Sequence, residues 1–306
     1  MKNIWKPIGL LIVLILVCSV IVRVTNNSQT LYDYAQENPE IAYATPELSP
    51  AASSPANAPA STPEPTATPT PTASPSVLTA QQSLDAVEYA EGFFYQPLTD
   101  SVIAKIAGIS YPVSEMIAPA LSLPAVNIIS DDETPAISYN ELRYLNVLYY
   151  DFNGEVQTGE LICNQFIAQD LIEIFYELYQ HEYPIEKIRL VDEYNGDDTA
   201  SMLDNNTSCF NYRVVDGTTS LSKHAIGCAI DINPFYNPYV VFNKNGSGET
   251  YISPIGSEIY ADRSQNFPYK IDENDLCYRL FTEHGFVWGG NWNSSKDYQH
   301  FQKTIP

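Results

Sequence analysis

Between about Thr45 and Ser76 the chain is almost entirely Pro, Thr, Ser and Ala, in short repeats such as Thr-Pro-Glu-Pro-Thr-Ala-Thr-Pro-Thr-Pro-Thr. A stretch so poor in apolar side chains cannot bury a core. It divides the sequence: residues 25–76 read as a disordered linker, and the material for a globular fold lies beyond Val77. Proline makes such a linker extended and fairly stiff, at roughly 3 Å per residue, so it reads as a stalk.

What precedes the stalk reads as a membrane segment. Lys2 and Lys6 stand before an apolar run from Ile8 to Val22 that ends at Arg23. With Ile4 and Trp5 this run is just long enough to span a bilayer. Val20, Ile21 and Val22 offer no small-x-small cleavage site, and Val17 before Cys18 is not the small residue that a lipoprotein signal requires. Residues 1–24 are therefore expected to be an uncleaved anchor, a single-pass transmembrane helix. The N-terminal lysines then place the remainder outside the cytoplasm.

Charge excludes partners. The chain carries 37 Asp and Glu against 15 Lys and Arg, a formal net charge of -22. Phosphate binding needs clustered cations, so nucleic acid is not an expected partner. An acidic exterior keeps an exported protein soluble, and a monomer is expected. Beyond Cys18 the cysteines are Cys163, Cys209, Cys228 and Cys277. Their irregular spacing, without any C-x-x-C pair, reads as buried free thiols, although an exported chain permits two disulfides.

The foldable part divides into an accessory helical region, 77–137, and a larger domain, 138–306. Leu78, Leu84, Val87 and Ala90 suggest a helix, followed by a Pro-broken stretch. From Leu142 to Phe152 the alternation predicts a strand, and Asn153-Gly154 turns into a second strand ending near Cys163. Asn164 is placed to cap a helix whose apolar face is Ile167, Leu171, Ile174, Phe175 and Leu178. Further strands are expected at 188–191, 209–215, 226–232 and 299–302, and a helix at 272–284 closed by Gly285. Two helices interleaved with these strands predict an α+β domain with a mainly antiparallel sheet.

Within it, one constellation carries chemistry. Ser222-Lys-His224-Ala-Ile-Gly227-Cys-Ala-Ile-Asp231-Ile-Asn-Pro234 is followed far downstream by Trp288-Gly-Gly-Asn-Trp292 and Asp297-Tyr-Gln-His300-Phe-Gln. Two imidazoles and a carboxylate form the ligand set of a catalytic zinc ion with its fourth position open, which nominates His224, Asp231 and His300. His224 and Asp231 are seven residues apart, so on one regular strand they would face opposite ways. Gly227 is the expected kink that places His224 in a turn and Asp231 on the strand. Asp297 is the candidate general base and Arg213 the candidate partner for the developing oxyanion. Ser222 and Trp288 are the expected substrate-contacting positions; Trp288 and Trp292 read equally as cleft walls or core aromatics.

These residues resemble a known family. Asn205-Asn-Thr-Ser-Cys-Phe-Asn-Tyr-Arg213, Ser222-x-His224-x-x-Gly227-x-Ala229-x-Asp231-Ile-Asn-Pro234, Trp288-Gly-Gly, and Lys296-Asp297-x-x-His300-Phe are similar to motifs of the bacterial D-alanyl-D-alanine carboxypeptidase and L-alanyl-D-glutamate endopeptidase family of zinc peptidases. The resemblance covers about Ser138 to the C-terminus. It implies the compact α+β fold shared with the hedgehog signalling domain and a Zn2+ site at His224, Asp231 and His300. It also implies acid/base work by Asp297 and transition-state stabilisation by Arg213. Several branches carry Glu at the base position, and Asp297 looks more like the endopeptidase branch.

The plainer readings are these. His181 and His284 end predicted helices, where contact with the carbonyl end accounts for them. Cys228 fits a small buried residue, and Glu283 a helix-surface carboxylate. The function expected is hydrolysis of a peptidoglycan stem-peptide amide, foremost the L-alanyl-D-glutamate bond, with D-alanyl-D-alanine carboxypeptidase activity as the alternative. A wall-binding module that keeps a structural zinc ion is the reading from another class; the presence of Asp297 argues against it.

Overall fold

The computed structural model describes residues 85–121, 124–215 and 218–305. The expected anchor and stalk, and with them Leu78 and Leu84, lie outside these residues. Among the described residues no helix is long and apolar enough to cross a membrane.

The chain enters through a hairpin, β1 (Val87–Ala90) and β2 (Phe93–Pro97), so Val87 and Ala90 lie on a strand rather than on the expected helix. The β-branched and aromatic residues here favour extended backbone, and Gly92, at φ +80°, makes the reversal between them. Helix α1 (Asp100–Ile106), capped by Thr99, is the one α-helix described before residue 138. A small parallel pair follows, β3 (Val113–Ser114) with β4 (Ile128–Ile129).

Next come β5 (Leu142–Tyr150) and β6 (Val156–Asn164), joined over nine antiparallel residue pairs. Their turn is held by Asp151, whose Oδ1 accepts from the N–H groups of Asn153 and Glu155. β2 pairs with β5, which gives the antiparallel order β1-β2-β5-β6. The segment expected to form a separate accessory region thus supplies half of the strands in the largest sheet.

Alternation on β5 and β6 serves two cores, one on each face. Leu145, Val147, Leu161 and Cys163 point to one side, where helix α2 (Ala168–Gln180) buries Leu171, Ile172, Ile174, Phe175 and Leu178. Each such side chain, fully buried, contributes about 1.5–3 kcal/mol. Leu142 and Ile162 point to the other side, where they meet Ile106, Tyr111, Ile137 and Phe210. The expected apolar stripe is present, but α2 starts at Ala168. Asn164 ends β6, its Oδ1 accepting from the Phe166 N–H and its amide donating to the Ile226 carbonyl.

Past α2 the elements are short: β7 (Lys187–Ile188), α3 (Asp198–Leu203) and β8 (Asn206–Thr207), with β7 and β8 parallel. The strand expected over 209–215 is reduced to a single bridge, Val214 to Leu221, with another just before it from Ser208 to Asp231. Then follow β9 (Ala229–Asp231), β10 (Tyr239–Val241), β11 (Tyr251–Ser253) and helix α4 (Leu276–Glu283). Asp275 caps α4 and Gly285, at φ +79°, follows it. The chain closes with β12 (Val287–Trp288), β13 (Ser295–Asp297) and β14 (His300–Gln302). Two three-stranded antiparallel sheets result, β11-β10-β13 and β12-β14-β9.

Candidate active site

The site begins with a turn. Ser222 Oγ accepts the His224 N–H at 3.2 Å and so opens a single 3-10 turn, His224–Ile226. Gly227 ends that turn at φ +67°, a left-handed conformation costly for residues with a Cβ. It also lies against the end of β6: a Cβ here would be 2.6 Å from the Asn164 nitrogen. Glycine is required on both counts. The turn holds His224 off the strand, β9 then delivers Asp231, and the register conflict between them disappears as expected.

His300 sits directly across from Asp231 in the antiparallel pair β9–β14. Opposed residues project to one face, so the pairing brings their side chains together. His300 Nδ1 lies 2.9 Å from Asp231 Oδ1, His224 Nε2 lies 3.3 Å from Asp231 Oδ2, and the two ring nitrogens are 3.2 Å apart. All three residues are buried, at 3%, 5% and 6% exposure for His224, Asp231 and His300.

The outward nitrogens have partners of their own. His224 Nδ1 faces the Cys209 carbonyl, and His300 Nε2 lies 3.1 Å from Gln302 Oε1. A carbonyl oxygen only accepts, so each of these outward nitrogens carries a proton, and the inward nitrogens are the ones that would turn a lone pair to a metal ion. Among the described residues this is the group able to hold a metal ion, its ligand atoms lying within 4.8 Å of one another.

The electrostatics follow from burial and proximity. Burial alone would raise the Asp231 carboxyl, but the two imidazoles outweigh it and hold that group well below the ordinary carboxylate range. Burial would lower His300, yet its hydrogen bond to Asp231 and the charges of Asp231 and Asp297 push it up to about 9. The site's own charges thus favour a cation at its centre.

Asp297, at the end of β13, is raised to about 7, chiefly by burial, with Asp231 adding to the effect and the imidazoles opposing it. Its Oδ1 is buried without a hydrogen-bond partner. Gln299 acts to lower the same carboxyl, and Gly289 lets the neighbouring turn close over it: a Cβ there would fall 2.7 Å from Asp297 Cβ.

Other expected residues are placed differently. The Arg213 guanidinium turns to Asp198, with Nη2 at 2.8 Å from Oδ2, and its Nε is buried without a partner. Its backbone is nevertheless one rung from the ligand turn, since the Ser222 N–H donates to its carbonyl. Trp288 is a core residue at 4% exposure, its indole donating to the Tyr298 carbonyl and its ring packed against Phe301. Trp292 is the tryptophan that borders the imidazoles, 5.3 Å from His300 between ring centres. Ser222, also buried, serves the His224 turn.

His181 and His284 cap α2 and α4, each with Nδ1 at 2.8 Å from a carbonyl one turn back. The four cysteines are free and buried, and burial raises their thiols, that of Cys228 to about 11. Sequence reasoning missed Gln302, Gln299, Gly289 and the Cys209 carbonyl. The i, i+2 spacing of His300 and Gln302 on a strand was the one available signal, since it puts both side chains on the same face.

No curated protein and no solved structure matches this chain. Residues 216–303, which contain His224, Asp231, Asp297 and His300, match the family model described as D-alanyl-D-alanine carboxypeptidase. With the site assembled inside that stretch, this segment of the chain is similar to the D-alanyl-D-alanine carboxypeptidase family of peptidases.

Proposed function

We propose that the chain is a zinc peptidase that hydrolyses an amide of the peptidoglycan stem peptide, specifically the L-alanyl-D-glutamate bond, from an extracellular position at the end of a membrane-anchored stalk. One observation carries the reading: two imidazoles with committed outer nitrogens and a depressed carboxylate converge beside a second carboxylate that has an unpartnered oxygen.

The donor set suits zinc, which favours nitrogen and carboxylate ligands in tetrahedral geometry. His224 through Nε2, His300 through Nδ1 and Asp231 would hold the ion. Bound there, zinc supplies Lewis acidity, making water more acidic and polarising a carbonyl. The remaining work falls to side chains. Asp297 holds and moves the proton: burial brings its carboxyl to about 7, close to a neutral working pH, and its Oδ1 is not committed elsewhere. It takes a proton from the attacking water and returns it to the leaving amine. Arg213 stabilises negative charge on the carbonyl oxygen, with Asp198 orienting the guanidinium until substrate arrives. Trp292 shields the His300 side of the site from water.

A second reading, removal of the terminal D-alanine, draws on the description of the matched family model. It requires a cation to hold the free terminal carboxylate in addition to the Arg213 assigned to the carbonyl oxygen. Mass spectrometry of defined muropeptides incubated with the zinc-loaded protein separates the two. Chelator-sensitive loss of the stem after L-alanine supports the endopeptidase, and loss of one terminal D-alanine supports the carboxypeptidase. A folded, zinc-loaded protein that cuts neither overturns both and leaves a wall-binding module.

A further inference from the structure

A cavity of about 280 Å³ lies against the segment that is paired with the ligand turn. Its floor is Asn211 and Arg213, and the Asn211 N–H donates to the His224 carbonyl at 3.2 Å, so floor and ligand turn are directly paired. The facing wall comes from the N-terminal part of the fold: Ile109, Val126 and Asn127. Asn195, Gly196, Asp197 and Tyr212 complete the lining.

The wall is fastened at several points. Asn127 Nδ2 donates to the Tyr212 carbonyl at 2.8 Å, and the Tyr212 N–H donates to the Ser110 carbonyl at 2.9 Å. Ser110 is in turn tied to the buried Asp192 carboxylate through its N–H and its hydroxyl, at 3.1 and 2.9 Å. A wall so held keeps its shape, as a specificity surface must.

The lining has a definite chemical character. Asn211 is buried, at 5% exposure, lines the cavity, and donates its Nδ2 to the Gly196 carbonyl at 3.3 Å. Arg213 Nε is without a partner, while its charge is balanced by Asp198. Three carboxamides, a tyrosine, a guanidinium balanced by Asp198, the Asp197 carboxylate that caps α3 and two apolar side chains suit the alternating N–H and C=O groups of a peptide backbone with a small side chain. They suit a phosphate or a strongly charged group poorly. The volume is near the lower end of small-molecule clefts, roughly 300–1,000 Å³, appropriate to part of a longer substrate.

We propose that this cavity is the subsite for the peptide on one side of the scissile amide. Val126 and Asn127, which precede the matched stretch 216–303, then help to decide which peptide is cut. This rests on the peptidase reading and deepens it: selectivity is supplied from outside the segment that carries the metal ligands.

The test uses the full chain with zinc and two variants. Val126→Trp fills the cavity from a position that is well exposed at the surface, so the fold tolerates it, and Asn127→Leu removes the carboxamide. Steady-state kinetics on defined stem peptides should show KM raised about tenfold or more, with the loss concentrated in KM rather than kcat. Calorimetric binding of the same peptides in an Asp297→Ala background should weaken by the same factor. Unchanged KM and unchanged binding in the folded Val126→Trp protein overturn the proposal while leaving the peptidase reading intact. Peptide binding that weakens in the variants of a protein that cuts nothing keeps the subsite and removes hydrolysis. A zinc-loaded chain that neither binds nor cuts stem peptides removes both.

Discussion

Asp297 and Gln302 flank His300 and do different things. Asp297 offers an unpartnered oxygen, whereas Gln302 accepts the outer proton of the ring and so decides which nitrogen faces inward. Replacing Asp297 by Ala should abolish turnover and spare metal binding, read by hydrolysis assay together with zinc stoichiometry; an active variant removes Asp297 from the mechanism. Replacing Gln302 by Leu should instead weaken zinc binding by about 10–100-fold, since outer-sphere partners of ligating histidines are worth that much. Competition against a chromophoric chelator measures it, and an unchanged affinity would mean that β14 alone orients the ring. The ligand residues were legible because their types and spacing are restrictive. Gln302 and the Cys209 carbonyl were not, because a backbone oxygen carries no sequence signature and a glutamine on a strand is ordinary.

Elements divide in the same way. The hairpin β5–β6 and the helix α2 follow strong periodicities over nine and thirteen residues, and the sequence reading located both. The strands that carry the site are two or three residues long, too short for any period to emerge, and the stretch 209–215 kept only a single bridge. What could be read there was the break: Gly227 had to interrupt the strand for His224 and Asp231 to meet. Gly227→Ala forces a Cβ into a left-handed backbone and against the Asn164 nitrogen. It should cost about 1–3 kcal/mol, seen as a lower midpoint in denaturant unfolding, and should reduce metal affinity as well because the turn bearing His224 must shift. Wild-type stability would show that the turn relaxes freely.

At the scale of the whole molecule, the boundary drawn at residue 138 does not separate two bodies. β1 and β2 share a sheet with β5 and β6, and Ile106 and Tyr111 help to cover its second face. Composition suggested the division because the stretch 107–137 is rich in breaks, but sheet pairing ignores such breaks when both sides carry strands. A chain starting at Ser138 should therefore lose cooperative unfolding and aggregate, tested by thermal denaturation against a chain that starts before Thr72; an equally stable shorter chain would restore the two-body division. Chelation of a zinc-loaded protein should lower its melting temperature in a zinc-reversible way, because an ion bound to the folded state alone stabilises it by mass action. A melting temperature indifferent to chelator would argue that the three ligands hold no metal.

The order β1-β2-β5-β6 also sets the path of mechanical load. A pull applied on the N-terminal side of the described residues would reach the fold at β1, a four-residue strand at the sheet margin that buries none of its side chains and pairs only with β2. Such a strand peels away under modest tension. The tug is then spent on one short hairpin, far in sequence from β9 and β14, and the imidazoles keep their spacing while the margin gives way.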